Sequence, residues 1–495
     1  MKIKYILFVL ILSSFFTRCD LDYYPYDNIE QSQSFQSVGD IGTLVNGSYA
    51  LLRGVSYGRY TVAPDLQTDL FNATSSYGNN YGIVHAWTEL LATTYDIEYP
   101  WSGYYNLIAN LNNVIQNHTL VTPSEEEVTA YNTYVGEAYF IRAYAYAHLI
   151  NLYAKAYKSS TASTDLGVPL NLKYDIEEKL PRSTIKEVYD QIFADLGEAE
   201  SKWKDIDFSK VATYKDSPSR FTKDAITALK ARLYLNLEEW NNAITEAEKI
   251  ITSGSYPLVT TKEALKTLWG SDKGTEIITH LVIDGSKEAP NTNAVYLNGY
   301  SSTDATYIPL YIPGKKVYEL YHNDDFRKEV YFANHTLKLA SGNFKNIYSL
   351  NKYPLTKEFS STGNLLHSPI LFRTAELYLI VAEAGARGTQ SDLALTRLND
   401  LRKARGLPAL TGLSGDALFE EVKDERVREL LAEGTRLTDL KRWGLGFTRS
   451  EPQDESAVVK RYVDLTVEPG DDKFVWGIPS YDLNLNPNLV QNQGW

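Results

Sequence analysis

Residues 220–253 carry two consecutive helical patterns that leave few folds open to this chain. The first places small and apolar residues on one face, at Ala225, Ala228, Leu229, Ala231, Tyr234 and Leu235. The second does the same at Trp240, Ala243, Ile244, Ala247 and Ile250, after a short break at Glu238-Glu239. Small residues about one turn apart let two helices pack closely, and this aromatic-then-alanine spacing is typical of the tetratricopeptide unit. The pattern therefore predicts a pair of packed helices.

Further helical patterns extend this scaffold along the chain. A second pair of helices with small residues on the packing face is predicted over residues 376–404. Single helices are predicted over residues 40–53, 101–116, 125–157 and 184–203. Thr184 is a candidate N-cap, with Glu187 three residues later as its capping-box partner. The sequence thus predicts a mainly α fold with tetratricopeptide-type helix pairs within about residues 125–270 and 368–445.

Two segments, residues 57–99 and 273–364, lack this periodicity and are rich in Tyr, Asn, Gly, Ser and Thr. Residues 277–283 and 348–353 are the strand-like pieces of the second segment. Long irregular inserts in a compact domain usually serve function. We therefore expect one domain over residues 37–495, in which a helical-repeat scaffold carries an irregular, loop-rich lobe that faces the ligand.

The N-terminal 36 residues predict an export signal followed by a tether. Lys2 and Lys4 precede an apolar run over residues 5–16, and Cys19 follows shortly after. At about 1.5 Å per residue this run spans about 18 Å, which is too short for a hydrocarbon core of about 30 Å. We expect a lipoprotein signal peptide over residues 1–18, acylation of Cys19 and a polar tether over residues 19–36. An ordinary secretory signal with an incidental cysteine is the alternative.

Charge and cysteine content narrow the function further. The formal net charge of −13 argues against binding nucleic acid through its phosphates. Cys19 is the only cysteine, so the predicted mature body has neither a disulfide nor a thiolate site.

Tyrosine is abundant, with 37 residues in the chain, and many of them lie beside Asn and Gly in the irregular segments. Flat amphipathic rings suit contacts with sugars or peptides, and amides can hold hydroxyl or peptide groups. The predicted ligand contacts are Tyr77, Asn79, Asn80, Tyr81, Trp87, Trp101, Tyr296, Asn298, Tyr300 and Tyr307. The alternative for any one tyrosine is that its ring covers a seam between helices.

Local motifs for catalysis or metal binding are absent from the sequence. The seven histidines form no pair at i+3 or i+4, and neither a G-x-S-x-G motif nor a complete phosphate loop occurs. A glycosidase needs only two carboxylates, which local spacing does not reveal, so a secreted hydrolase is kept as an alternative. We expect a protein that is not an enzyme and has no cofactor and no metal.

Residues 425–443 are strongly charged. On a helix Glu425, Glu429 and Glu433 form one row, while Arg428 lies i+3 from Glu425 and Arg426 lies i+3 before Glu429. Arg436 and Asp439 have the same spacing. Exposed pairs of this kind contribute about 0.2–0.5 kcal/mol each, and we interpret the stretch as structural bracing rather than a ligand site.

Several blocks of residues form a specific pattern when they are read in order. They are Cys19-Asp20-Leu21-Asp22 with Pro25, GEAYFIRA at 136–143, LGVPL at 166–170, PRST at 181–184, AEA at 382–384, the residues 398–406, the charged stretch 425–443, WGIP at 476–479 and QNQGW at 491–495. In number and order these blocks resemble the SusD/RagB family of Bacteroidetes surface lipoproteins over nearly the whole chain. Residues 49–53, 66–69 and 320–328 look closer to the RagB-like branch than to starch-binding SusD.

This resemblance implies a SusD-like fold with four degenerate tetratricopeptide units. It also implies a partner, a TonB-dependent outer-membrane transporter barrel of the SusC/RagA type, over which the lipoprotein acts as a lid. RagB-like members are associated with oligopeptides and SusD-like members with glycans. We therefore expect a lipid-anchored protein of the cell outer membrane that faces the exterior and captures an oligomeric nutrient. An oligopeptide is favoured; a glycan, and a tetratricopeptide scaffold for protein partners, are the alternatives.

Overall fold

The computed structural model describes residues 34–77, 82–87, 90–175, 177–211, 219–283, 300–301, 306–355 and 367–495. The helices are α1 Val38–Ser56, α2 Arg59–Leu66, α3 Gly82–Ala86, α4 Tyr95–Asn117, α5 Val128–Tyr153, α6 Ile185–Trp203, α7 Lys223–Asn236, α8 Trp240–Ser253, α9 Lys262–Ser271, α10 Lys315–Glu319, α11 Phe326–Tyr331, α12 Thr374–Arg387, α13 Ser391–Ala404, α14 Gly415–Leu430, α15 Arg436–Trp443 and α16 Ser480–Leu485. The prediction of a mainly α fold is confirmed.

The predicted helix pairs pack as expected. Helix α7 packs against α8, and α12 packs against α13, α8 and α14. The longer helices also pack side by side. Helix α5 packs against both α4 and α6, and α1 packs against α4 and α5. The result is consistent with a tetratricopeptide-like scaffold. None of the helices among the described residues is long and apolar enough to cross a lipid bilayer.

Helix α6 begins as its sequence predicts. The Thr184 side chain accepts a hydrogen bond from the Glu187 backbone N–H, and the Glu187 carboxylate accepts one from the Thr184 N–H in return. This capping box satisfies backbone donors that a helix start leaves without partners.

A glycine explains the close contact between α5 and α6. A Cβ atom placed on Gly136 would overlap the indole of Trp203, the last residue of α6. The Trp203 indole is fully buried there and donates a hydrogen bond to the Thr133 carbonyl at 3.1 Å. Glycine at position 136 therefore makes room for the largest side chain of the interface.

Short strands form the β structure. They are β1 Phe71–Ala73, β2 Ile277–His280, β3 Tyr300–Ser301, β4 Thr306–Tyr307, β5 Tyr311–Pro313, β6 Phe332–Asn334, β7 Leu337–Leu339, β8 Gly342–Phe344, β9 Tyr348–Leu350, β10 Ile370–Arg373, β11 Phe447–Thr448 and β12 Thr466–Val467. One sheet has the order β3-β4-β7-β8, and the others are the antiparallel pairs β1–β5, β2–β10, β6–β9 and β11–β12. We call the described residues of 70–77, 300–355 and 447–467 the lobe.

Charged side chains join the lobe to the helical scaffold through the interior. We call this cluster the ion-pair seam; its members are Glu276, Asp325, Arg327, Lys352, Arg373, Arg405, Glu425, Glu429 and Glu433. Glu429 on α14 is its centre. Its carboxylate accepts hydrogen bonds from Arg327 of the lobe at 2.8 Å, from Arg373 at 2.5 Å and from Arg405 at 2.8 Å.

Burial decides the chemistry of the seam. The side chains of Arg327, Arg405 and Glu429 are fully buried. Burial alone would raise the pKa of Glu429, but the attraction of the three guanidinium groups outweighs it and holds that pKa well below its usual range. The carboxylate therefore stays ionised inside the protein, because its charge is balanced by these partners.

Residues 425–443 form ion pairs, as the bracing interpretation predicts, but these pairs are buried and two of the expected pairs are wrong. Arg426 pairs with Asp439 at 2.8 Å rather than with Glu429, because the Glu429 carboxylate faces the seam. Arg436 pairs with Asp69 after α2 rather than with Asp439. Arg428 does pair with Glu425, at 2.8 Å, and this pair is buried.

Candidate functional site

The two irregular segments meet in the lobe. Strand β1 of the first segment pairs with β5 of the second, with Asn72 opposite Ile312. Beyond β1, the hydroxyls of Ser75 and Ser76 accept hydrogen bonds from the backbone N–H groups of Ser341 at 3.1 Å and Ala340 at 2.7 Å. The turn between β7 and β8 is thereby held against the chain that leads to Tyr77.

Tyr77 is half-buried at the end of this connection. Its ring meets the ring of Tyr462 edge-on, with centroids 5.9 Å apart, and the two hydroxyls are 3.5 Å apart. Tyr462 packs in turn against the fully buried His85 of α3, at 5.6 Å. A Cβ atom on Gly82 would lie 2.7 Å from the Tyr77 ring, so glycine at that position lets the ring sit close to α3. The orientation of Tyr77 is therefore set by its neighbours.

Tyr307 is the second half-buried ring of the lobe. It stacks on the imidazole of His335 with centroids 3.7 Å apart and an angle of 13° between the planes. Burial lowers the pKa of His335, which favours the uncharged ring. In β4, Tyr307 pairs with Leu337 of β7 on one side and with Tyr300 of β3 on the other. Sheet pairing and ring stacking together fix its position.

Arg461 adds a cation beside this aromatic surface. Its guanidinium lies over the Tyr462 ring, 4.6 Å from the centroid, and donates a hydrogen bond to the Tyr462 hydroxyl. We call Ser75, Tyr77, Tyr307, His335, Ser341 and Arg461 the lobe surface; Tyr462 is buried beside Tyr77 and supports it. Half-exposed rings beside hydroxyl groups can contact both the apolar faces and the polar edges of a ligand. Within the described part of the chain, no group of three or more His, Cys, Asp or Glu side chains could hold a metal ion.

Comparison with known proteins gives this arrangement a family. The model of the SusD family matches residues 291–495, and a model described as starch-binding associating with outer membrane matches residues 21–235. The chain is 26% identical to SusD-like protein P2 of Formosa agariphila over 99% of each chain. This chain is a SusD/RagB family protein.

Solved structures support the SusD/RagB fold independently of sequence. A SusD superfamily protein from Bacteroides thetaiotaomicron superposes with a TM-score of 0.78, at 24% identity, over 92% of this chain and 99% of the other. A SusD-like carbohydrate binding protein from Bacteroides vulgatus superposes with a TM-score of 0.76, at 21% identity, over 92% and 98%. The expected family and fold are therefore confirmed. The family consists of binding proteins for nutrients or glycans that associate with the outer membrane.

Burial corrects two of the predicted ligand contacts in this SusD/RagB protein. Trp87 is 3% exposed, packs edge-on against Phe447 and Phe474, and donates a hydrogen bond to Asp471 at 3.2 Å. Trp101 is 2% exposed and packs against Tyr105 and Tyr153. Neither ring presents a face to a ligand, so both are core residues. Composition alone did not separate them from the tyrosines, since an indole fits a core as well as a binding surface.

The remaining predicted contacts divide into two groups. The structure brings Tyr77, Tyr300 and Tyr307 into the lobe, where Tyr300 and Tyr307 are cross-strand partners. The other predicted residues lie outside the described part of the chain; they are Cys19, Asn79, Asn80, Tyr81, Tyr296 and Asn298.

Sequence analysis missed His335, Arg461 and Tyr462. Tyr462 is 385 residues from Tyr77, and no local pattern connects them. An aromatic residue beside a cation, as in Arg461-Tyr462, is the only sequence signal that could have drawn attention to this pair.

Proposed function

We propose that this protein captures an oligomeric nutrient on the lobe surface and acts by binding alone. The observation that carries this proposal is the pair of half-buried rings, Tyr77 and Tyr307, which neighbouring residues hold in place on one lobe. Rings that are already ordered lose little conformational freedom when a ligand stacks on them. Import then needs no chemical step in this chain.

We further propose that the protein is anchored to the outer membrane by acylated Cys19, faces the cell exterior and closes over a TonB-dependent transporter of the SusC/RagA type. Family membership and the sequence pattern around Cys19 support this assembly. Stable lipid anchoring generally needs two acyl chains, or one acyl chain and a second membrane-binding signal. An N-terminal cysteine that carries several acyl chains meets this requirement.

Oligosaccharide is the first candidate ligand. A sugar ring presents C–H groups on its face and hydroxyls on its rim, which suits Tyr77 and Tyr307 beside Ser75 and Ser341. One matching family model is described as starch-binding, and one structural neighbour as carbohydrate binding. These descriptions apply to the related proteins and support the same ligand class here.

Oligopeptide, which the sequence favours, is the second candidate. Its structural support is β8, an edge strand of the sheet β3-β4-β7-β8 with Gly342 and Asn343 exposed. An edge strand can pair with an extended peptide through backbone hydrogen bonds.

Calorimetry on a double variant, Tyr77→Ala with Tyr307→Ala, tests the lobe surface. The ligands are maltoheptaose, laminariheptaose and a mixed casein digest; the control is Tyr481→Ala, which removes a ring that is 69% exposed outside the lobe. Contacts made by an aromatic ring are worth about 1 kcal/mol each, so we expect affinity to fall about tenfold or more in the double variant only. Equal affinity in the double variant and in Tyr481→Ala would refute the lobe surface as the ligand site. Hydrolysis products in the calorimeter cell would favour the alternative that the protein is an enzyme.

Purification from detergent-solubilised outer membranes tests the assembly. We expect a large barrel protein to copurify with the tagged wild-type chain. In Cys19→Ser, the chain should lose metabolic labelling by fatty acid and appear in the aqueous fraction. Labelled Cys19→Ser protein, or wild-type chain without a barrel partner, would contradict the respective part of the proposal.

A further inference from the structure

Arg449, which follows β11, is a buried cation whose side chain donates to backbone carbonyls. It is 1% exposed. Nε donates to the Thr68 carbonyl at 3.3 Å, and Nη1 donates to the Tyr462 carbonyl at 3.3 Å. Nη2 donates to the carbonyl of His85 at 2.9 Å and to that of Gln67 at 3.4 Å. Among the described residues, no carboxylate forms an ion pair with this guanidinium.

A cation in this setting needs a structural reason, because burial without a counter-ion is unfavourable. Burial lowers the pKa of Arg449 to about 10, so the guanidinium still carries its charge at neutral pH. Asp69 attracts it from a distance but is itself paired with Arg436 at 2.8 Å. In the ion-pair seam, by contrast, every arginine faces at least one carboxylate. Arg449 gains backbone bonds in place of a counter-ion, and the five coplanar N–H donors of a guanidinium can make several of them at once.

The four carbonyls belong to three chain segments, and each of these segments touches or leads to Tyr77. Two of the carbonyls lie in the turn between α2 and β1, and the chain runs on from β1 to Tyr77. The third belongs to His85 in α3, the helix whose Gly82 lets the Tyr77 ring lie close. The fourth belongs to Tyr462, whose ring meets that of Tyr77 edge-on at 5.9 Å. One guanidinium therefore joins the three supports of a single ring.

Tyr307, the other ring of the lobe surface, has separate supports. It stacks on His335 and pairs within the sheet β3-β4-β7-β8. The hydrogen bonds described for the Arg449 side chain include none to residues 306–339. Loss of this guanidinium should therefore displace Tyr77 and leave Tyr307 in place.

We propose that Arg449 is the positioning residue of Tyr77 on the lobe surface. It holds three backbone segments around one planar cation and thereby sets the orientation of a ring that contacts the ligand, while its own side chain stays out of contact with the ligand. The ligand contact rests on the proposed function, whereas the position of the ring can be measured without any ligand.

Arg182 supplies a matched control for this role. It is 7% exposed, burial lowers its pKa to about 10, and no carboxylate pairs with it in the part of the chain that the structure describes. Its guanidinium donates to the Asn492 side chain at 2.8 Å and to backbone carbonyls outside the lobe, those of Tyr153, Leu166, Gly167 and Val490. Arg182→Met therefore removes a comparable set of buried hydrogen bonds without touching any support of Tyr77.

Crystal structures of the wild type, Arg449→Met and Arg182→Met test the positioning directly. In Arg449→Met four carbonyls lose a donor, so we expect the Tyr77 and Tyr462 rings to separate or to lose order. The Tyr307 ring should keep its stacking distance of 3.7 Å in all three proteins. An unchanged Tyr77 in Arg449→Met, or an equal displacement in Arg182→Met, overturns the proposal.

Calorimetry measures the consequence for binding, with maltoheptaose, laminariheptaose and the casein digest as probes. Arg449→Met should weaken the affinity about fivefold, which corresponds to the loss of about one aromatic contact. Because Arg449 acts through one ring, its loss should have no further effect in a Tyr77→Ala background and the full effect in a Tyr307→Ala background. Arg182→Met should leave the affinity unchanged. The same loss in both backgrounds would show general damage to the lobe and overturn the proposal.

The two measurements separate this role from the proposed function. A displaced Tyr77 with unchanged affinity supports Arg449 as its positioning residue and overturns the lobe surface as the ligand site. An undisplaced Tyr77, with affinity lost in the Tyr77/Tyr307 double variant, overturns the role of Arg449 and leaves the proposed function intact.

If Arg449→Met does not fold, Arg449→Lys replaces it. The lysine ammonium keeps the charge but has three donors for four carbonyls, so a smaller displacement of Tyr77 and a smaller loss of affinity are expected. An undisplaced ring in Arg449→Lys would then overturn the proposal.

Discussion

Fully buried His85 shows how a single residue carries both a structural and a pH-dependent effect. Its Nδ1 lies 2.9 Å from the Leu66 carbonyl, and its ring packs against both Tyr311 and Tyr462. Burial, with the nearby Arg449 cation, lowers the pKa of His85 well below its ordinary value. The folded protein therefore holds this imidazole neutral behind the lobe surface.

Stability should fall as the solution becomes acidic, and His85 should cause part of the fall. Below about pH 6.5 the unfolded chain protonates this residue while the folded chain does not, so protons favour unfolding. We therefore compare the wild type with His85→Asn, which can keep a donor near the Leu66 carbonyl. Between about pH 7.5 and about pH 5.5, the free energy of unfolding should fall by about 1.4 kcal/mol less in His85→Asn than in the wild type. Urea unfolding at the two pH values measures the difference.

The matched control for this prediction is His322→Asn, which replaces an exposed histidine. It should retain the pH dependence of the wild type. His148 and His118, whose pKa values burial lowers to about 3 and about 4, contribute equally in all three proteins. Parallel curves for wild type and His85→Asn would show that His85 is not neutral in the folded state.

At the scale of elements, glycine has opposite roles in two neighbouring helices. Gly136 in α5 gives Trp203 its space, whereas a Cβ atom added to Gly197 in α6 would have no heavy atom within 4 Å beyond its own helix backbone and chain neighbours. The same substitution should therefore change stability in opposite directions at these two positions.

Alanine substitutions at both glycines test this contrast. Gly136→Ala should lower the free energy of unfolding by about 1–3 kcal/mol, because Trp203 must shift. Gly197→Ala should raise it by about 0.5–1 kcal/mol, because alanine restricts the unfolded chain and favours the helix. Chemical denaturation of both variants provides the measurement, and equal effects would mean that α5 and α6 are not in close contact.

Helical elements were predictable and the lobe was not, for a physical reason. Helix periodicity and the Thr184 capping box act over a few residues, so the sequence reveals them directly. The contact of Tyr77 with Tyr462, and the pairing of β1 with β5, depend on residues far apart in the chain. The seam was missed similarly, because a row of Glu and Arg has the same pattern whether water or protein surrounds it.

At the scale of the whole molecule, the ion-pair seam links the lobe to the helical scaffold, which would otherwise be joined by short strands and loops. Arg327 belongs to the lobe, Arg405 follows α13, and Glu429 lies in the last turn of α14. Removing a partner from such a group leaves a buried charge uncompensated, which is far more costly than losing an exposed pair.

Glu429→Gln should therefore destabilise the whole protein by about 3–5 kcal/mol. Glu420→Gln is the control on the same helix; its carboxylate pairs with Lys423 at the surface and is 70% exposed, so a change within about 0.5 kcal/mol is expected. Calorimetry should show one transition for each variant, shifted to lower temperature in Glu429→Gln only. Two separated transitions in the wild type would contradict the seam as a link between lobe and scaffold.

The seam also restricts how this protein can move. Separating the lobe from α14 would leave several buried charges exposed to water or without partners at once. A hinge motion between the lobe and α14 is therefore energetically unfavourable. Nutrient capture by closure of the lobe against the helical scaffold of the same chain is therefore not expected. If the protein closes over a transporter as proposed, the lobe and the helical scaffold should therefore move together as one rigid body.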